Sequence, residues 1–147
     1  MAIHLKRATV QDMEEYIRIE KAVDSALNLV TTDPEEAQEE IKNSVTYLIT
    51  LDDEIVGLIS YKVKNTLDAH IAEVAILPAF QGKGIGTKVL ELIIDELMQK
   101  GFKSVDLETH PDNKALHLYE KFDFKAVGRI ENYENSGTPR LVLKRGL

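Results

Sequence analysis

Hydrophobic positions recur along this chain with two periods, and the switches between them outline a series of strands and helices. Ile3 to Ala8 (I-H-L-K-R-A) alternates apolar and polar residues, which predicts a strand with one buried face. From Asp12 to Val23 the spacing lengthens. Met13, Tyr16, Ile17, Glu20 and Val23 fall near helical intervals, so an amphipathic helix follows. Ser25 to Val30 is apolar without a clear period. Thr32 to Glu36 (T-D-P-E-E) reads as a helix start, with Asp33 as N-cap, Pro34 in the first helical position and Glu36 completing a capping box. That helix is predicted to run to about Asn43. Val45 to Leu51 and Glu54 to Val63 are β-rich runs parted by Asp52-Asp53, a tight acidic turn, and so form an antiparallel hairpin. A further strand over about Ala69 to Leu77 extends the hairpin into a meander.

The second half changes character. Thr87 to Lys100 carries the strongest helical period, with Val89, Leu90, Ile93, Ile94 and Leu97 on one stripe and Gly101 in the C-cap position. Ser104 to Thr109 alternates again. Strand, loop, helix and strand in that order make a crossover, which predicts parallel pairing between the strands at 69–77 and 104–109. Pro111-Asp112-Asn113 ends the second strand and starts a helix bearing Ala115, Leu118, Tyr119 and Phe122 at i, i+3, i+4 and i+7. Phe124 to Ile130 and Arg140 to Lys144 close the chain as two strands around a loop rich in Asn, Ser, Gly and Pro. The expectation is an α/β (α+β) fold, a mixed and mostly antiparallel sheet of about seven strands with four helices, as one domain over residues 1–147.

Composition narrows the chemistry. With 147 residues, 44% of them apolar, the chain can bury a core of useful size. No run approaches the roughly 18 apolar residues of a membrane span, and the N-terminus lacks signal-peptide form, so no membrane partner is expected. The absence of cysteine excludes disulfides, thiolate metal sites and a cysteine nucleophile. It fits the cytoplasm, the compartment expected here. A formal net charge of −7 disfavours sequence-independent nucleic-acid binding. The same charge suits cationic or amine substrates, and equally suits solubility alone.

The stretch Ala72 to Thr87 (A-E-V-A-I-L-P-A-F-Q-G-K-G-I-G-T) concentrates the candidate chemistry. Gly82, Gly84 and Gly86 let the backbone turn sharply just ahead of a helix N-terminus, which makes an anion cradle suited to phosphate or pyrophosphate. Three readings compete. The P-loop pattern G-x-x-x-x-G-K-S/T, counted from Gly82, requires glycine where Thr87 stands. The dinucleotide fingerprint G-x-G-x-x-G fits Gly82 and Gly84 and meets the same Thr87, although Asp106 and Glu108 lie about 20 residues on, as a ribose-binding acid would.

The third reading is a resemblance. Q-G-K-G-I-G at Gln81 to Gly86 resembles the Q/R-x-x-G-x-G/A signature of the GNAT N-acetyltransferase superfamily, and A-E-V-A-I-L-P resembles the strand leading into it. L-Y-E-K-F-D-F at Leu118 to Phe124 is similar to the family's L-Y-E-K-x-G-F, about 35 residues further on. The resemblance extends to the order of elements over nearly the whole chain.

The resemblance implies an enzyme that moves an acetyl group from acetyl-CoA to a primary amine by direct attack, with no metal and no covalent enzyme intermediate. It implies that the amides of Gly82, Lys83, Gly84, Ile85, Gly86 and Thr87, with Gln81, hold the coenzyme's pyrophosphate. Lys83 and Lys88 either add charge there or are ordinary solvated lysines. Val74, Ala75 and Ile76 would pair their backbone with the pantetheine arm. A bulge would splay this strand from the one at Ser104, and an exposed N–H in the slot would stabilise the oxyanion of the tetrahedral intermediate. Tyr119 matches the family's tyrosine beside the coenzyme sulfur, a proton donor to the departing thiolate, although its apolar stripe also suits a core tyrosine. An amine with a pKa near 10 must lose a proton before attack. Glu108, Glu73, His70 or an ordered water relay are the candidates to take it. The family spaces an asparagine seven residues before the tyrosine. Here Asn113 is six before Tyr119 and Asp112 holds the seventh place, so either could meet the coenzyme arm. Asp123 replaces a family glycine, a mild change if φ is positive there. The acceptor would enter between the first helix, the Ser25 to Val30 segment and the closing strands near Tyr133, with a protein N-terminus, a polyamine or another small amine as its identity. The expected partner is an amine-bearing small molecule or peptide, acting on a monomer or homodimer. A coenzyme A sensor without turnover and a nicotinamide enzyme are the competing readings.

Overall fold

The sheet forms around a meander whose strands hand side chains alternately to two layers of helix. The computed structural model describes residues 2–25 and 30–147. Strands β1 (Ile3–Arg7), β2 (Val45–Leu51), β3 (Glu54–Val63), β4 (Asp68–Ile76), β5 (Ser104–Thr109), β6 (Lys125–Ile130) and β7 (Arg140–Gly146) make one seven-stranded sheet. Their order is β1-β2-β3-β4-β5-β7-β6. All neighbours are antiparallel except β4 and β5, which run parallel from Asp68↔Ser104 to Ile71↔Leu107. Among the described residues four α-helices accompany the sheet: α1 (Met13–Val23), α2 (Pro34–Asn43), α3 (Ile85–Gln99) and α4 (Leu116–Lys121). The mixed sheet and the parallel central pair are as expected.

Turn chemistry explains the boundaries. Asp52 and Asp53 both adopt positive φ (48° and 70°), the pattern of a type I′ turn, which follows the natural twist of a hairpin. The Asp33 carboxylate accepts the Glu36 N–H at 3.1 Å and Pro34 opens α2, as a capped start should. Gly101 ends α3 with φ 88°, and Asp123 takes φ 66° where the family pattern has glycine. Two boundaries differ from expectation. Helix α3 starts at Ile85, so Gly86 and Thr87 lie in its first turn and not in the loop. Helix α4 starts only at Leu116, because Asn113 Oδ1 accepts the Ala115 N–H at 2.9 Å and sustains a turn first. Of the Ser25 to Val30 stretch, residues 26–29 lie outside the described residues.

Two cores result. On one face α3 buries Ile85, Val89, Leu90, Ile93, Ile94 and Leu97 against Ile49, Ile59, Ile71, Val105 and Leu107. At about 1.5–3 kcal/mol per buried side chain, that stripe fixes which face α3 presents. On the other face Tyr16 and Ile19 of α1 and Ala37 and Ile41 of α2 pack on Leu48, Leu58 and Ala75. The C-terminal half of α3 is tied to the meander by Glu96, which accepts from Tyr47 at 2.5 Å and Tyr61 at 2.6 Å.

Candidate active site

The site begins with one extra residue in β4. Ser60 pairs with Glu73, but Tyr61 pairs with Ile71, so Ala72 has no opposite number and forms a β-bulge. A bulge reverses which face the following side chains take. Ala69 and Ile71 therefore join the α3 core, whereas Ala75 joins the α1/α2 core. Glu73 turns with Ala75 toward the side of the sheet that carries Tyr16, Glu20 and Glu40. The same point ends the parallel pairing. Beyond Ile71↔Leu107 the strands part, and from Glu73 to Ile76 β4 keeps its ladder only with β3.

A cavity of about 220 Å³ opens where the strands part. It brings together His70, Glu73 and Val74 of β4, Glu108 of β5, Asn113, Tyr119 of α4 and Tyr133. Ala75 is buried beneath α1 and α2, so its side chain cannot reach a ligand and only its backbone can. Asn113 stands on the cavity wall, while the Asp112 side chain is 81% exposed to solvent. The one-residue deviation thus leaves Asn113 inside. Residues Gln81 to Thr87 are not part of this wall. They form the turn at the head of α3, where Gly84 and Lys88 border a second hollow with Ala2, Ile3 and His4.

That turn presents open backbone at a helix N-terminus. Gln81 donates its side-chain amide to the Ile76 carbonyl at 2.9 Å, which pins the loop to the end of β4 and gives Gln81 a supporting role. Gly84 is the N-cap of α3 at φ 81°, no side chain caps the helix, and the space a Cβ would take is open. Uncapped first-turn N–H groups and the helix dipole then face the same open side. Lys83 lies over the Phe80 ring at 5.5 Å and Lys88 stands 3.8 Å from Glu91. A left-handed alanine costs about 1–2 kcal/mol, so Gly84→Ala is expected to lower Tm by about 4 °C in calorimetry.

Electrostatics sort the acids. Glu73 is pushed well above the usual carboxylate range by burial first, then by the charges of Glu20 and Glu40. Its side chain still borders the cavity, so it can meet a substrate. Tyr119 is buried, packs edge-to-face on Phe124 at 6.0 Å, and has its phenol raised by burial and by the charge of Glu73. Tyr133 is raised by burial and by the carboxylate of Glu108, while the Arg140 guanidinium lies over its ring at 5.5 Å. His70 holds Asp106 at 2.6 Å through Nδ1, and Lys64 holds the other oxygen at 2.7 Å. Burial pushes Asp106 up, but Lys64 and His70 outweigh it and keep the carboxyl below its ordinary value. An acid so engaged is not set out for a ribose, as the dinucleotide fingerprint would need.

Sequence reasoning missed several wall residues: Tyr16, Glu40, Lys62, Thr109, His110 and Arg140. Lys62 pairs with Glu40 at 3.1 Å. The Asp112 N–H donates to His110 Nδ1 at 3.0 Å, which places the proton of a neutral ring on Nε2. One signal was present. Tyr16 and Glu20 stand four apart on α1, and Glu20 occupied a position of the apolar stripe.

The splayed pair, the uncapped cradle and the tyrosine on α4 coincide with a family pattern. A model of the acetyltransferase (GNAT) family matches residues 13–124. This chain belongs to the GNAT family. Over 78 residues it is 36% identical to a ribosomal protein bS18-alanine N-acetyltransferase of Haemophilus influenzae, covering 52% of this chain and 53% of the relative. Over 75 residues it is 35% identical to N-alpha-acetyltransferase 30 of Schizosaccharomyces pombe, covering 50% of each. The chain spans about half the length of these curated relatives. Among solved structures, Ard1 from Thermoplasma volcanium superposes with a TM-score of 0.85 at 20% identity, over 100% of this chain and 99% of that one. A GNAT acetyltransferase from Elizabethkingia anophelis with acetyl-CoA bound gives 0.76 at 20% identity, over 99% and 98%. At that identity the structural likeness is one of fold. No helix among the described residues of this GNAT chain is long and apolar enough to cross a membrane.

Proposed function

We propose that this GNAT protein acetylates the α-amino group of a protein or peptide N-terminus, with acetyl-CoA as donor. The observation that carries the reading is the parting of β4 and β5 after Ile71↔Leu107, with Glu73, Glu108 and Tyr119 on the walls of the cavity it opens. Acetyl-CoA supplies an activated thioester and a leaving thiol. The chain fits it at two places: the open, uncapped turn at Gly82–Thr87 suits a pyrophosphate, and the one-sided backbone of Val74–Ile76 suits an amide-bearing arm. Asn113 lines the cavity beside Val74. The acceptor side is supported by the relatives, one named for the alanine of ribosomal protein bS18 and one as an N-alpha-acetyltransferase.

Each side chain then has a task. Glu73, raised by burial and like charge, is the proton acceptor, since a carboxyl so raised holds a proton more firmly than an ordinary one. Glu108 sits beside Tyr133 at the acceptor side, where a carboxylate orients an ammonium group. Tyr119, with its phenol raised, keeps its proton until a thiolate forms and then donates it. Tyr119→Phe is expected to lower kcat by about 10²-fold while leaving acetyl-CoA affinity intact, as read by steady-state kinetics and calorimetry. An unchanged kcat would return Tyr119 to the core.

The deciding experiment is thiol release from acetyl-CoA across a panel of short peptides, polyamines and other small amines. Release with free-N-terminus peptides, lost on blocking the α-amine, supports the proposal. Release with polyamines alone overturns the acceptor class. Binding of acetyl-CoA without release from any amine favours a coenzyme A sensor.

A further inference from the structure

Glu20, in the last turns of α1, has no exposed surface, and neither of its carboxyl oxygens has a hydrogen-bond partner among the described residues. The groups that act on it are Glu73 of β4, the Thr31 N–H, Tyr16 one turn earlier on α1, and Glu40 of α2. Of the cations on this wall, Lys62 of β3 is engaged with Glu40 at 3.1 Å and Arg140 of β7 lies over the Tyr133 ring. Glu73 in turn faces Glu20, Glu40 and the Val74 N–H, and its charge reaches Tyr16 and Tyr119. A sealed carboxylate without a cation is too costly to ionise beside a second one, so the two titrate as a pair. The bulge at Ala72 creates this meeting, because without it Glu73 would point into the α3 core.

We propose that Glu20 is a positioning residue that works through Glu73: the two carboxyls hold one proton between them, and with it on Glu20 the anionic Glu73 takes the proton of the acceptor's ammonium group. The balance is simple. The N–H bond of the ammonium breaks, an O–H bond forms on Glu73, the amine regains its lone pair, and the pair passes from one proton to two. The second proton leaves to solvent after turnover. Burial, which pushes Glu20 up to about 7, supports a proton resident on the pair at neutral pH. This inference rests on reading the cavity as an amine site.

Two measurements separate the inference from that reading. Carbon-13 NMR of the glutamate carboxyls in the ligand-free protein follows Glu73 in the parent, in Glu20→Gln and in Glu20→Met, the last removing all polarity from the sealed position. Glu73 is expected to titrate at lower pH in both variants; an unmoved Glu73 overturns the inference whether or not the protein turns over. The pH profile of kcat/KM with acetyl-CoA and a peptide acceptor bearing a free α-amine is the second. The ratio of kcat/KM at pH 6 to that at pH 8 is expected to rise about threefold or more in either variant, which a packing role would not produce. An unchanged ratio overturns it. Turnover absent from the parent with every amine would sink the acetyltransferase reading alone and leave the NMR result to decide the pairing.

Discussion

Glu73→Gln is expected to lower kcat/KM at pH 7 by about 10²–10⁴-fold, the range lost when a positioned base is removed. The variant keeps the size and much of the polarity of the side chain while removing its ability to take a proton. Its defect should depend on pH in a way that also reports the acceptor. An α-amino group has a pKa near 7.7–8.0, about 2.5 below that of a lysine-type amine. With a peptide N-terminus the acceptor is largely neutral by about pH 9, so the variant's rate should rise about sevenfold between pH 7 and 9 and then level off, recovering part of the deficit. With a polyamine the deficit would persist to higher pH. Glu108→Gln should act differently, raising KM for the acceptor more than it lowers kcat, because a carboxylate that orients an ammonium contributes to binding. A Glu73→Gln enzyme that retains the parent rate at pH 7 would remove Glu73 from proton transfer. If Glu108→Gln then showed the pH-dependent loss, the base would lie on β5; a flat response in both would favour a water relay.

Much of this arrangement was legible in the residues, for local reasons. Val45–Leu51, Glu54–Val63 and Ser104–Thr109 are delimited as expected because each run alternates or is β-rich and stops at a turn former. The start of α3 was misplaced because three alternating glycines look like one loop. Gly84 in fact completes the left-handed turn, and Gly86 is tolerated in the first helical turn, where no intrahelical N–H bond is lost. The bulge left no mark of its own. Ala72-Glu73-Val74 contains neither glycine nor proline, and only the resemblance to the family suggested a bulge there. Glu73, Glu108 and Tyr119 could be named because a strand, a strand and a helix motif carry them. Glu20 could not, although its place in the stripe of α1 was visible. A glutamate at the edge of an amphipathic stripe usually snorkels to water, and what seals this one is a strand about 50 residues away.

Gly57→Ala is expected to destabilise the protein by about 3 kcal/mol and to lower Tm by about 10 °C. Gly57 lies on β3 opposite Ile76, and a Cβ built on it would sit on the Ala75 carbonyl oxygen. That obstacle is backbone within a ladder, so no rotamer change relieves it. Either β3 and β4 separate locally or β4 shifts toward the gap that faces β5. Both outcomes act on the segment Val74–Ile76, just after the bulge and just before the Ile76 carbonyl that anchors Gln81. The substitution should therefore weaken acetyl-CoA binding in the fraction that remains folded, an effect that a remote packing defect of equal cost would not share. Gly84→Ala, at the other end of the same path, supplies the contrast, with a smaller loss of stability and a cradle altered directly. Denaturant unfolding paired with acetyl-CoA titration at a temperature where both variants are folded measures the two effects. A Gly57→Ala protein of parent stability would mean that β3 and β4 do not approach so closely, and the opening of the slot beside β5 would then need another support.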